Sequence, residues 1–225
     1  MRAIDRRPTR DLLAYGSRRG GLIGRGILER AIRSIVAARV ATATVFATYA
    51  LTVAFGIVMA TTGNDLAVTQ RDAVVGAAKS SAITSANRSG DHLQAALLDF
   101  GSNLGLGGVT STVLGITVAG VYPVVAYRGW IGGIVVLDAE HQSRLGDLGE
   151  ALYYLTTLLL QLIPYSIAGG VGVRLGVGAW RELRTPTATT WLGLPRDRLG
   201  DAMAAYVIIA PLFLIASLFE FLVRI

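Results

Sequence analysis

Few side chains in this 225-residue sequence could take part in chemistry, and they are scattered. The two histidines, His92 and His141, fall on separate segments, and neither belongs to a metal-binding spacing such as two histidines four residues apart on a helix. Cysteine is absent, which excludes a disulfide framework, thiolate-bound zinc, an iron–sulfur cluster and a cysteine nucleophile. Asp138, Glu140, His141 and Asp147 make a polar patch whose oxygens and imidazole could bind a cation, against the plainer reading of a solvated loop. No phosphate-cradling glycine motif with its lysine occurs, and the glycines of GSNLGLGG suit close helix packing instead. With no paired acids, Ser–His pair or ligand set, the expectation is a protein that is not an enzyme. No catalytic residue, metal or cofactor is expected.

The more informative polar residues lie inside apolar stretches, where an ionisable or hydrogen-bonding group is a default pointer to function. Gln161, Tyr165 and Ser166 flank Pro164, whose ring frees backbone carbonyls that need partners. Arg174 closes the glycine-rich run after it, and Glu220 sits near the end of the last apolar stretch, four residues before Arg224. That spacing suggests an intrahelical ion pair. Together Gln161, Tyr165, Ser166, Arg174 and Glu220 form a candidate polar membrane site, and a solute pathway from Gln161 to Arg174 is the transport reading of it.

The elements that carry these residues are hydrophobic: 52% of the chain is apolar, 16% is charged and the mean hydropathy is +0.53. Such a surface suits lipid, and the expected class is all-α, a polytopic transmembrane helix bundle. Val40 to Thr61 is uncharged and long enough to cross a hydrocarbon core of roughly 30 Å. Ala202 to Phe219, with Pro211 inside it, is a second such run. Leu104 to Tyr127 reads as a third helix. Ala151 to Val173 reads as a helix broken or kinked at Pro164. Between these, Trp130 to Leu137 is too short to span unless it is re-entrant or borrows from Val121 to Tyr127.

Charge placement orients the bundle. Ten arginines precede Val40 against three acids, so the N-terminus is expected in the cytoplasm of a cell-membrane protein. If the short piece crosses, the loop bearing Arg181, Arg184, Arg196 and Arg198 also lies inside, which gives about five passes with the third short or re-entrant. Four passes is the alternative. Residues 1–20 read as a basic cytoplasmic tail, 21–38 as an amphipathic interfacial helix, and 39–225 as the transmembrane domain with an outer helical segment at 62–103. In that outer segment the pattern predicts a helix around Ala67 to Ala78, a turn at Ser85 to Gly90 and a surface helix from His92 to Phe100.

Partners follow from the same residues. Arg25, Arg30, Arg33, Arg181 and Arg184 are candidate contacts for anionic lipid headgroups or a partner protein. Gly105, Gly108, Gly115, Ala168, Gly172 and Gly176 are candidate helix-packing positions, in this chain, in a second copy or on another membrane subunit. The basic excess is confined to the head, residues 40–225 being net −1, so nucleic acid is not an expected partner.

From Ala41 onward the chain resembles the stage II sporulation protein M family of multi-pass membrane proteins. The likeness lies in the outer segment ending at Asn103, the helix with Gly108 and Gly115, Tyr127-Arg128-Gly129 before GWIGGIVV, the LIPYS segment from Leu162 to Ser166 before AGGVGVRLG, and the closing Ala216 to Glu220. Many members carry a histidine after the proline and a glutamate four residues later, where this chain has Tyr165 and Gly169. The resemblance implies a non-enzymatic scaffold that recruits or positions other proteins, in spore formers the peptidoglycan-degrading enzymes of engulfment. The alternative is the permease subunit of an ATP-driven, ABC-type transporter or exporter. A cytoplasmic ATPase would then dock on a short coupling helix, for which Trp180 to Gly200 is the one candidate.

Overall fold

A computed structural model of the chain describes residues 26–138, 140–185, 190–191 and 193–223. The fold is helical. Residues 26–37 form α1, which passes through a single turn residue, Ala38, into α2 (Arg39–Thr61). Three short helices follow: α3 (Asp65–Lys79), α4 (Ala82–Arg88) and α5 (His92–Ser102). Each begins on a side chain that accepts a free backbone N–H of its first turn, from Asn64, Ser81 and Asp91 respectively. The cap at Ser81 explains why Ser85 to Gly90 is mostly helix rather than the expected turn; the chain reverses only at Ser89 and Gly90.

From α5 the chain winds on without a break through a π-helical stretch (Asn103–Val109) into α6 (Thr110–Gly115). The rod ends there, and Leu104 to Tyr127 is not one helix. Residues 116–120 form a turn in which Val118 takes φ +67°, and α7 (Val121–Ile134) starts beyond it. The short apolar piece at Trp130 therefore belongs to α7, begun a full two turns earlier. After a loop at 135–147, α8 (Leu148–Arg184) runs for 37 residues, capped by Asp147. Its helical hydrogen bonding continues past Pro164, so the helix is not broken there. A two-stranded hairpin, β1 (Thr190–Trp191) and β2 (Leu194–Pro195), leads into α9 (Arg196–Leu222).

Among the described residues three helices, α2, α8 and α9, are each long and apolar enough to cross a membrane. Their contacts order five rods. Thr42, Val45 and Tyr49 of α2 meet Gly170, Gly169 and Tyr165 of α8, so these two helices run in opposite directions. Gly129 and Gly133 of α7 meet Tyr49 and Val53 of α2, so those two run the same way. The α5–α6 rod follows α8, with Gly107 on Tyr165 and Gly115 on Gly172, and α9 opposes it.

Glycine sets the distance between rods. A Cβ on Gly56 would lie 3.0 Å from the Gly133 Cα, and one on Gly115 would lie 2.8 Å from the Gly172 carbonyl carbon. Such contacts let backbones touch where no hydrophobic effect drives helices together. On α2, Thr44, Thr48 and Thr52 return their hydroxyls to carbonyls of Ala41, Thr44 and Thr48 on their own helix.

Candidate functional site

The most polar part of the bundle interior is built on α7 and α8. Arg128, halfway along α7, donates from Nη1 to the Tyr165 hydroxyl at 2.9 Å and from Nη2 to the Leu106 carbonyl at 3.1 Å. Its guanidinium also lies 5.0 Å from the Tyr165 ring centroid. Arg128 is half-buried, and these contacts supply its guanidinium with partners among apolar neighbours. Among the described residues no carboxylate lies within ion-pair distance of Arg128.

The chain of hydrogen bonds continues away from Arg128. Tyr165 donates to Asn103 Oδ1, the Asn103 amide donates to Asp99 Oδ2 at 2.8 Å, and Ser217 of α9 donates to the same oxygen at 2.7 Å. Local backbone geometry makes this pattern possible: in the π-helical stretch, glycine at 107 leaves room for the Tyr165 ring and glycine at 108 for Phe213. Nearer the end of α9, Gln161 donates to Glu220 Oε2 at 2.6 Å, and the Tyr153 hydroxyl donates to the Glu220 carbonyl.

These groups line one side of a cavity of about 1180 Å³. Its other side is apolar, from Val124, Tyr127, Ile131 and Val135 of α7, and α3 and α4 frame its upper edge with Val74 and Asn87. An adjoining pocket of about 520 Å³ shares Arg144, Tyr153 and Glu220 with it and adds His92 and Glu150. The cavity does not continue past Tyr165 along α8. Beyond that ring, Phe213 is fully buried, Thr112 bonds the Ala168 carbonyl at 2.9 Å and the Tyr206 hydroxyl at 2.7 Å, and Gly115 and Gly172 are in backbone contact.

Of the polar residues expected from the sequence, Gln161, Tyr165 and Glu220 come together on this cavity. Ser166 does not join them: it is buried and its hydroxyl returns to the Leu162 carbonyl at 2.7 Å. Arg174 lies at the opposite end of α8, 3.6 Å from Asp201. Glu220 pairs with Gln161 of another helix, and Arg224, its expected partner, lies outside the described residues. Four members of the site, Asp99, Asn103, Arg128 and Ser217, were not singled out for it from sequence. The signal for Arg128 was present: it is the one charge between Asn103 and Asp138.

The packing glycines divide similarly. Gly108, Gly115, Gly172 and Gly176 meet Phe213, Gly172, Thr112 and Ile116, all within this chain, and Ala168 is buried beside them. Gly105 faces outward with nothing near its missing side chain, and Gly107 and Gly133 take the role instead. Arg25 lies outside the described residues. Arg30 donates to Asp201 Oδ1 at 2.7 Å and to the Asp197 carbonyl, tying α1 to α9, while Arg33, Arg181 and Arg184 are exposed.

The acidic patch at 138–147 does not assemble as a cation site, and no group of three potential ligands exists among the described residues. Asp138 accepts the backbone N–H of Glu140 and Gln142, Asp147 caps α8, and His141 reaches Asp72 of α3 at 3.0 Å. That contact is part of a latch. Arg71, almost wholly buried, donates Nε and Nη2 to the Leu137 carbonyl and Nη1 to Asp72 at 2.7 Å. The hydrogen bond from Arg71, with a smaller one from His141, holds the Asp72 carboxyl below its ordinary range. A depressed carboxylate stabilises above its unfolded pKa and ceases to do so as pH falls through its folded one. Acidification below pH ~4 is therefore expected to release the 135–147 loop. Amide exchange in that loop should speed up in wild type relative to neutral pH, and an Asp72→Asn variant should show less of this pH dependence.

The chain matches no protein-family model, no curated protein and no solved structure.

Proposed function

We propose that this protein is an integral membrane assembly subunit that holds a partner at the outer face of the cell membrane and performs no chemistry of its own. In this reading the rods α2, α5–α6, α7, α8 and α9 are five passes, the N-terminus is cytoplasmic and α1 lies in the inner interface, its Ile27, Leu28 and Ile32 turned outward toward lipid. One observation carries it: the polar cavity ends blindly on Tyr165, above helices locked together at backbone distance. A transporter must open a path on the far side of its site, and here that would mean parting Gly115 from Gly172 and Gly176 from Ile116. A binding cavity needs no such movement.

The resemblance to the stage II sporulation protein M family supports the same reading through Asn103, Arg128 and the LIPYS segment, three of its elements that meet around this cavity. Recruitment through the glycine faces is given up, because those faces are spent within the chain. The permease reading keeps one supporting feature, a helix ahead of the first apolar rod. Its required coupling helix is not found: the described residues between Trp180 and Gly200 are the end of α8, the hairpin and the start of α9. Purification of the intact protein in a mild detergent, after crosslinking in cells, is expected to retain a stoichiometric partner protein. Release of that partner by Arg128→Ala or Glu220→Gln, with the bundle still folded, would tie it to the cavity; a strictly solitary protein would sink the proposal.

A further inference from the structure

The end of the bundle opposite the polar cavity carries a second recess, of about 670 Å³, between the start of α2 and the last third of α8. Arg174, Arg181 and Arg198 line it together with an apolar strip from Val40, Ala41 and Val177. Positive charge gathers there: Arg174 and Arg30 share one carboxylate, Asp201, and Arg181 and Arg198 stand on the same recess as Arg174. The site is also shaped for a guanidinium: Gly178 of α8 has no side chain, and a Cβ there would stand 2.6 Å from Arg198 Cδ and 2.9 Å from its Cζ. Arg198 thus lies flat against the α8 backbone, and any other residue at 178 would push it away.

An adjoining apolar recess of about 440 Å³ shares Val177 and Arg181 with the first and is walled by Val118, Ala119 and Trp180. Arg181 therefore stands between two hydrophobic slots. Guanidinium groups match phosphate oxygens with paired N–H donors, and arginine is the residue that does so with geometric selectivity. Aliphatic strips on both sides of such a group suit acyl chains. Exposed charge scattered over a helix would attract any anionic leaflet; two slots flanking one cation favour one molecule.

We infer that this recess is a binding site for a single anionic phospholipid, its phosphate held by Arg181 and Arg198 beside Arg174 and its chains lying in the two slots. The inference depends on the bundle being membrane-embedded and is independent of whether it recruits a protein partner.

The test uses the whole chain in nanodiscs of phosphatidylcholine with and without phosphatidylglycerol. Native mass spectrometry after transfer to neutral detergent is expected to find one phosphatidylglycerol retained per protein, at least about tenfold over phosphatidylcholine. Each of Arg181→Gln and Arg198→Gln should weaken retention about fivefold, in line with ~1 kcal/mol for one basic group at a lipid surface. Arg88→Gln, exposed on α4 and outside both recesses, should leave it unchanged. Equal retention of the two lipids, or full retention in the double variant, overturns the site. Protection from heat by soluble glycerol phosphate equal to that by the lipid overturns the assignment to a lipid. Should the double variant fail to fold, the wild-type competition between the two lipids decides alone.

Discussion

Gly172→Leu is expected to abolish the folded bundle, and Gly172→Ala to cost about 3 kcal/mol or more. Overpacking usually costs about 1–3 kcal/mol because side chains can move aside, with larger values where they cannot. Here they cannot: a Cβ on Gly172 would meet the carbonyl oxygen, carbonyl carbon and Cα of Thr112, all backbone, at a point where Thr112 also bonds Ala168 and Tyr206. Relief would require α6 to leave α8, yet Gly115 packs on the Gly172 backbone as well and Gly176 packs on Ile116 one turn further along. Gly101→Ala makes the control. That glycine is exposed with open space around it, so alanine there should leave stability unchanged or raise it by up to about 1 kcal/mol through helix propensity. Thermal unfolding in detergent separates the two; a Gly172→Ala protein as stable as wild type would refute the account of backbone contact.

Tyr165→Phe is expected to destabilise by about 1–3 kcal/mol although it removes one oxygen and no packing volume. The hydroxyl accepts from Arg128 and donates to Asn103, so its loss leaves a guanidinium N–H and an amide oxygen short of partners in the interior. The ring keeps its contacts with Tyr49, at 6.3 Å between centroids, and with the Phe213 edge at 4.8 Å. A double variant with Arg128→Met should recover part of the loss, because removing the half-buried guanidinium along with its acceptor leaves no donor short of a partner. Strict additivity of the two substitutions in thermal unfolding would mean that the pair does not interact.

How far the sequence could be read depended on the range of the forces involved. The long apolar rods α2, α8 and α9 are local properties of composition, and each was legible, α2 almost to its ends, although α8 runs on to Arg184 and α9 already begins at Arg196. The helix expected from His92 to Phe100 is there as α5, but its continuation into α6 and the bounds of α7 were not legible. Reading Leu104 to Tyr127 as one span relied on charge as a boundary, and Arg128 was taken as the end of a helix when it is the middle of one. It can occupy that place because of a carbonyl 22 residues away and a phenol 37 residues away, contacts that a sliding window does not contain. The turn at Ile116–Gly120 was hidden for the opposite reason: its residues are apolar and uncharged, and one of them, Val118, has a backbone angle rarely adopted by a β-branched side chain. Pro164 signalled a break, but it is fully buried inside a helix that continues past it. Glu220 was assigned to a partner four residues away on its own helix and found one on α8.

The threonines of α2 bear on how the protein is made. This helix leaves the ribosome ahead of α7 and α8, the two rods against which its Gly56 and Thr42 are packed. Until they emerge it must stand without them. Thr44, Thr48 and Thr52 each have a bond to a carbonyl of the same helix, so their hydroxyls need no other rod to satisfy them while α2 waits. Tyr49, by contrast, stacks on a ring that is synthesised more than a hundred residues later, which makes it a group whose accommodation comes only with the arrival of α8. The order of synthesis is thus written into which polar side chains of the first rod are self-sufficient and which are not.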